Sequence, residues 1–490
     1  EGNRFTGIPM YDSLTQWDLT KADATSTVIP GVALTWTIDP TDKTKWIFKL
    51  RPGIKFHDGS AFNADVVVWN VQKILDICAV HFDAIQVGVS ASRMHTLRSA
   101  KKIDDFTVEL TSSEPDSFLP INLTNLFMAS PAKWDQKFKA VPATVTDPAE
   151  RAKQAWTAFA ADASGTGPFK MARFVPRERL ELIANKDYWD ATRVPKIDRV
   201  VLIPMPEANA RTAALLSGQV DWIEAPSPDA MPQIKQRGFT IYSNPQPHVW
   251  PWQLSFADGS PWLDKRVRQA ANLCVDRAGL KTLLGEMMGI PKGTFPPDHP
   301  WFGSPTFDIK YDPAAAKKLM ADAGYPNGFE VAMNCPNDRY VNDGGICQAV
   351  AASLARVGVK VNLQAETKGT YFPKILRRDT SFYLLGWTPG TYDSHNALNA
   401  LMRCVDDKGS GQFNLGAYCN PKVDELTLKI QSETDKAKRD AMIREAFKLH
   451  ADDIGHLPLH QQALAWGVAS NVSLVQLADN FMPFRYMSVK

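Results

Sequence analysis

Residues 329–363 carry the pattern that most narrows the fold. An alternating, strand-like run at 329–333 precedes Ile346, Val350, Leu354 and Val357, which recur at helical spacing. Val359, Val361 and Leu363 then alternate with Lys360, Asn362 and Gln364. Strand, helix and strand in that order return to one sheet through a right-handed crossover that leaves the two strands parallel. A partly parallel α/β sheet flanked by helices is therefore expected.

Similar signals lie on both sides of the chain's middle and predict two α/β lobes. The strand at 46–50 stops at Arg51-Pro52-Gly53, and His57-Asp58-Gly59 reads as a second turn. Asn63 or Asp65 caps a helix carrying Val67, Trp69, Val71 and Ile74. Strands are expected at 180–183 and 200–203, and a helix at 207–216 that ends at Gly218. Asp312-Pro313 opens a helix closed by Gly324-Tyr325-Pro326, and Asn420-Pro421 opens another. Thr434 or Asp435 starts a helix carrying Met442, Ala446 and Leu449.

Composition removes several function classes. In 490 residues, 55 Lys and Arg face 53 Asp and Glu, a net charge of +2, which argues against a nucleic-acid or strongly basic membrane surface. No apolar run approaches the ~20 residues of a membrane-spanning helix. The polar start Glu1-Gly2-Asn3-Arg4 is no secretory leader, so the chain reads as a processed, mature product or as a cytosolic protein. The cysteines favour export. Cys335 and Cys347 bracket one polar loop, and Cys404 and Cys419 another, whereas zinc would want close C-x-x-C spacing. A disulfide across each loop is expected, with four unpaired thiols as the alternative. Cys78 and Cys274 sit in apolar helical contexts and read as buried thiols.

No G-x-S-x-G, H-E-x-x-H, phosphate-loop or EF-hand pattern occurs. His456 and His460 have the spacing of helical metal ligands, but Pro458 between them favours a strand or loop. What stands out is aromatic. Among 14 tryptophans, Trp250 and Trp252 lie between the two halves beside Pro245 and Pro247. Trp387 opens the loop 386–396, which follows an apolar strand at 382–385. Open α/β sheets place ligands beyond strand ends, and an indole offers a wide apolar face with one N–H donor. Core packing for each tryptophan, and a structural turn for the loop, are the competing readings.

These segments are where a family resemblance enters. The run Trp46-Ile47-Phe48-Lys49-Leu50-Arg51-Pro52-Gly53-Ile54-Lys55-Phe56-His57-Asp58-Gly59 is very similar to the signature of the bacterial extracellular solute-binding proteins of family 5, the oligopeptide, dipeptide and nickel-binding group. Gly165-Thr166-Gly167-Pro168-Phe169, Asn209-Ala210-Arg211, Leu216 to Asp221, Val267-Arg268-Gln269-Ala270, Asp276-Arg277, Tyr311-Asp312-Pro313 and Pro458 to Gln462 continue it in order.

The resemblance implies a two-lobed α/β fold of the periplasmic-binding-protein type, class II, with an extra inserted domain. Domain I would comprise residues 1–32, 160–245 and 466–490, domain II residues 33–159, and domain III residues 246–465. Strands would cross between domains near 246–252 and near Trp466. The implied function is that of the substrate-binding subunit of an ABC importer, a monomer in the periplasm with its signal peptide removed. It would capture a peptide or other small polar solute and deliver it to permease subunits in the inner membrane, with no catalytic residue, cofactor or metal. A secreted hydrolase or a solute-sensing receptor on the same scaffold is the alternative. Expected ligand contacts are Trp387, Thr388, Tyr392, Asp393, Asn396, Trp250, Trp252 and Tyr11. One departure matters: peptide binders of the family commonly carry an aspartate three residues after the tryptophan matching Trp387, and here that residue is Gly390. Asp393 is the nearby acid that would serve a cationic ligand.

Overall fold

In the computed structural model, strands Glu330–Pro336 and Lys360–Glu366 pair in parallel, from Glu330 opposite Lys360 to Pro336 opposite Glu366. The helix Asp343–Ala355 connects them, so the crossover expected from the periodicity is present. Residues 3–20, 27–83, 94–291, 310–387, 394–406, 410–475 and 481–490 are described, with backbone alone at 3 and 244–250. The chain divides into two compact units, residues 1–221 with 468–490, and residues 222–467.

The parallel pair belongs to the second unit, in one mixed sheet. Its strand order is Trp222–Glu224, His456–Val468, Thr240–Leu254, Phe382–Leu384, Glu330–Pro336 and Lys360–Glu366, with Met288–Gly289 also paired to His456–Val468. Phe382–Leu384 runs parallel to Glu330–Pro336 and antiparallel to Thr240–Leu254. Helices pack against the sheet through fully buried Val267, Val350 and Leu354, which meet Trp252, Met333, Phe382 and Leu384 in one core. Caps stand where the sequence puts them: the Asp312 carboxylate accepts from the Ala315 N–H at 3.0 Å, and that of Asp435 from Lys438 N–H at 3.0 Å. The segment holding Pro458 is a strand, one of the two forms expected once its proline excludes a helix; His456 and His460 are both buried in it.

Both expected disulfides are formed, Cys335–Cys347 and Cys404–Cys419, and both lie in the second unit. The first ties a strand end to the helix that follows. Cys274 is buried, but Cys78 is exposed. The reason is that its helix, Ala64–Leu75, has already ended at the Asp76 cap, which turns Cys78 outward.

In the first unit, strands Ala33–Ile38, Lys45–Leu50, Thr107–Ser112 and Leu97–Asp104 form an antiparallel sheet in that order. Phe48, Leu50, Val108 and Leu110 point into a core closed by Val67, Val71 and Ile74 of the helix Ala64–Leu75. Asn63 caps that helix, accepting from Val66 N–H at 3.2 Å. A second antiparallel sheet joins Phe169–Val175, Arg179–Ala184 and Arg199–Leu202. The helices Pro131–Ala140 and Pro148–Ala161 enclose Trp134, Trp156 and Phe159.

Candidate functional site

In the second unit, the C-terminal ends of the parallel strands Glu330–Pro336 and Phe382–Leu384 lie side by side, and the segments leaving them meet. Trp387 is half-buried; its indole N–H donates to the Asn396 side-chain amide oxygen Oδ1 at 3.1 Å, and its ring lies 4.9 Å from that of Phe413. Asn396 is held by the short helix Ser394–Ala397. Two of the sequence-predicted residues are thus brought together, nine positions apart. Thr388, Tyr392 and Asp393 lie outside the described residues, as does Gly390.

The neighbouring segment adds groups that sequence reasoning missed. Asp343, buried at the start of its helix, accepts from the backbone N–H of Arg339 and Tyr340 at 3.0 Å each and from Gly344 at 2.9 Å. Those bonds stabilise the carboxylate, but burial outweighs them and raises its pKa. The Tyr340 hydroxyl meets the backbone of Gly386, next to Trp387, and burial raises the phenol. The Arg339 guanidinium lies 4.9 Å from the Tyr340 ring centre. The available signal was the polar stretch between Cys335 and Cys347, which placed a pinned loop here without naming its contacts.

Trp252 takes a different place from the one expected. It is fully buried, stacked on Phe382 at 4.6 Å and packed in the sheet core, so it offers no face to a solute. Its strand is buried on both faces at 251–254, so neither side of it meets solvent there. Trp250 lies on the same strand, and its side chain is outside the described residues.

In the first unit, Tyr11 packs its half-buried ring 6.3 Å from Phe127, and burial pushes its phenol up. The next residue, Asp12, is a buried carboxylate that accepts from Thr166 Oγ1 at 2.9 Å, Tyr188 OH at 2.8 Å and Trp189 Nε1 at 2.7 Å, and from the Gln16 amide. Gly165 is required by proximity, since a Cβ there would lie 2.1 Å from the Met10 carbonyl oxygen. The same turn receives His57: Gly165 N–H donates to its Nδ1 at 3.3 Å, and its Nε2 lies 2.9 Å from the Gly167 carbonyl. That arrangement fits a neutral ring protonated at Nε2, and burial lowers its pKa accordingly. Two of the motifs that carried the resemblance are therefore one packed joint.

The arrangement in the second unit offers an aromatic face, an amide and a tyrosine, which can hold a solute by stacking and hydrogen bonding. Among the described residues, no three His, Cys, Asp or Glu side chains gather as metal ligands.

Known proteins agree on what this scaffold is. Residues 27–409 match the family described as bacterial extracellular solute-binding proteins, family 5. The glutathione-binding protein GsiB of Pectobacterium atrosepticum is 26% identical over 471 residues, covering 91% of this chain and 84% of that protein. Among solved structures, the periplasmic binding protein DppA of Helicobacter pylori, in complex with the peptide STSA, superposes with a TM-score of 0.82 at 21% identity, covering 100% of this chain and 94% of that one. AgaA of A. tumefaciens R10, in complex with agropinic acid, gives a TM-score of 0.77 at 21% identity, covering 99% and 93%. The two-lobed mixed α/β fold is thus shared, and the chain belongs to the family 5 bacterial extracellular solute-binding proteins, the solute-capturing components of ABC importers.

Proposed function

We propose that this protein reversibly captures a short peptide or another small polar, amino-acid-derived solute in the periplasm and hands it unchanged, as a monomer, to an ABC permease of the inner membrane. The observation that carries the reading is the half-buried Trp387 with its indole tied to Asn396 at the strand-end edge of the sheet. Support for the solute class comes from relatives named for glutathione and dipeptide binding, and from structural neighbours holding a peptide or agropinic acid. The sequence adds a constraint: with Gly390 where a peptide binder's aspartate is expected, Asp393 is the acid offered to a cationic group. Thr388, Tyr392, Trp250 and Tyr11 complete the proposed contact set. The two disulfides suit an oxidising compartment. A division into domain I (1–32, 160–245, 466–490), domain II (33–159) and domain III (246–465) accompanies this reading.

Native mass spectrometry of the purified protein should reveal a co-purifying small molecule, and incubation with it should return it intact. In calorimetry, Trp387→Ala should weaken binding of that molecule by about 2 kcal/mol, roughly 30-fold. Unchanged affinity would remove Trp387 from the site, and turnover of the solute would overturn simple capture.

A further inference from the structure

The turn of the signature segment builds a second concavity, within the first unit. Leu34, Arg51, Pro52, Gly53, Ile54 and Trp189 line a hollow of about 290 Å³, near the lower end of ordinary small-molecule pockets, roughly 300 Å³ upward. Arg51 is fixed there. Its backbone N–H donates to Val32 O at 2.9 Å and its side-chain Nε to Gly31 O at 2.9 Å. Its guanidinium carbon lies 5.0 Å from the Trp189 ring centre.

Three features point to an anion. First, among the described residues the terminal nitrogens of Arg51 carry no hydrogen bond and no ion pair, so a planar pair of donors is left over. Second, the other guanidinium over the same indole, that of Arg193 at 5.2 Å, is already neutralised by Asp190 at 2.6 Å. Third, the Trp189 N–H is bound to the buried Asp12 carboxylate, which holds the indole and enriches its face toward the cation. The walls provided by Leu34, Pro52, Ile54 and the indole are apolar.

We infer that this hollow is a binding site for a small organic carboxylate with an apolar stem, its carboxylate taken bidentate by Arg51 and its stem lying against Trp189 and Leu34. Arginine is the side chain suited to this, because its fork matches both carboxylate oxygens.

Phenylacetate and its neutral analogue phenylacetamide test the site by titration into ¹⁵N-labelled protein, read at the Trp189 indole N–H resonance. Phenylacetate should give a saturable shift, with phenylacetamide at least tenfold weaker. Arg51→Gln should weaken phenylacetate at least tenfold, and Trp387→Ala should leave it unchanged, which separates this site from the proposed solute site. Equal shifts with acid and amide, no saturable shift, or loss of the response in Trp387→Ala would each overturn the assignment. The acid–amide comparison uses the unmodified protein, so it holds even if Arg51→Gln folds poorly.

Discussion

Asp12 shows at the level of one residue how much of this protein is written non-locally. Its partners Thr166, Tyr188 and Trp189 are 154, 176 and 177 residues away, so no window of sequence could announce the network. Removing the carboxylate leaves several buried donors unpaired, a heavier loss than the bonds themselves. Asp12→Ala should cost about 3 kcal/mol or more in urea unfolding, with Asp12→Asn in between because one oxygen is kept. The glycines of the two family motifs separate by mechanism. Gly53 has φ +81° with open space around a would-be Cβ, so Gly53→Ala should cost only about 1 kcal/mol of backbone strain. Gly165→Ala must displace the Met10 backbone and should cost clearly more in the same assay. Trp252 illustrates the reverse problem. Its identity was legible, but that its strand is covered on both faces depended on neighbours such as Phe382, 130 residues on along the chain.

Elements were legible where local chemistry decides them. Asn63, Asp312 and Asp435 announce helix starts because a side-chain oxygen one turn ahead satisfies a free N–H, and each makes that bond. The 15-residue strand Thr240–Leu254 was obscured locally by Pro245, Pro247 and Pro251, and only family resemblance indicated a strand there. The junction of the helix Lys436–Asp453 with the strand His456–Val468 hides a further feature. His450 Nε2 and His456 Nδ1 lie 2.7 Å apart, both buried. Tyr418 stands edge-on to His450, its hydroxyl on Asp453, while Arg268 binds the Asp453 carbonyl. Burial lowers both histidines, His450 to about 3, with Arg268 adding to the shift and His450 depressing His456. The unfolded chain takes up these protons near pH 6.5, whereas the folded chain resists, so stability present above that pH is lost as pH falls below it. Between pH 7 and pH 5 the pair should cost about 2 kcal/mol or more, measured by urea unfolding. A His450→Gln variant should show a flatter profile, and an equally steep one would assign the acid sensitivity elsewhere.

Across the whole molecule, the fold class and family were legible because a crossover pattern and ordered motifs span most of the chain. The contact set was less so, because a loop's composition does not state where its side chains settle. The disulfides link these two levels. Cys335 and Cys347 are buried, whereas Cys419 is exposed and Cys404 half-exposed. Mild reductant should therefore open Cys404–Cys419 first, and alkylation with mass mapping should find label at those two positions while Cys335 and Cys347 stay protected. Releasing that bridge removes a loop constraint worth roughly 3 kcal/mol in the unfolded-chain account, and both bridges lie in the unit 222–467, so the calorimetric transition of the other unit should stay in place. The bridged loop also carries Phe413, whose ring packs on Trp387. On the capture reading, a Cys404→Ser/Cys419→Ser variant should remain folded yet bind the co-purifying solute several-fold more weakly, since Trp387 loses the ring that fixes its orientation. Calorimetry that finds full affinity in that variant would show that Asn396 alone suffices to hold Trp387 in place.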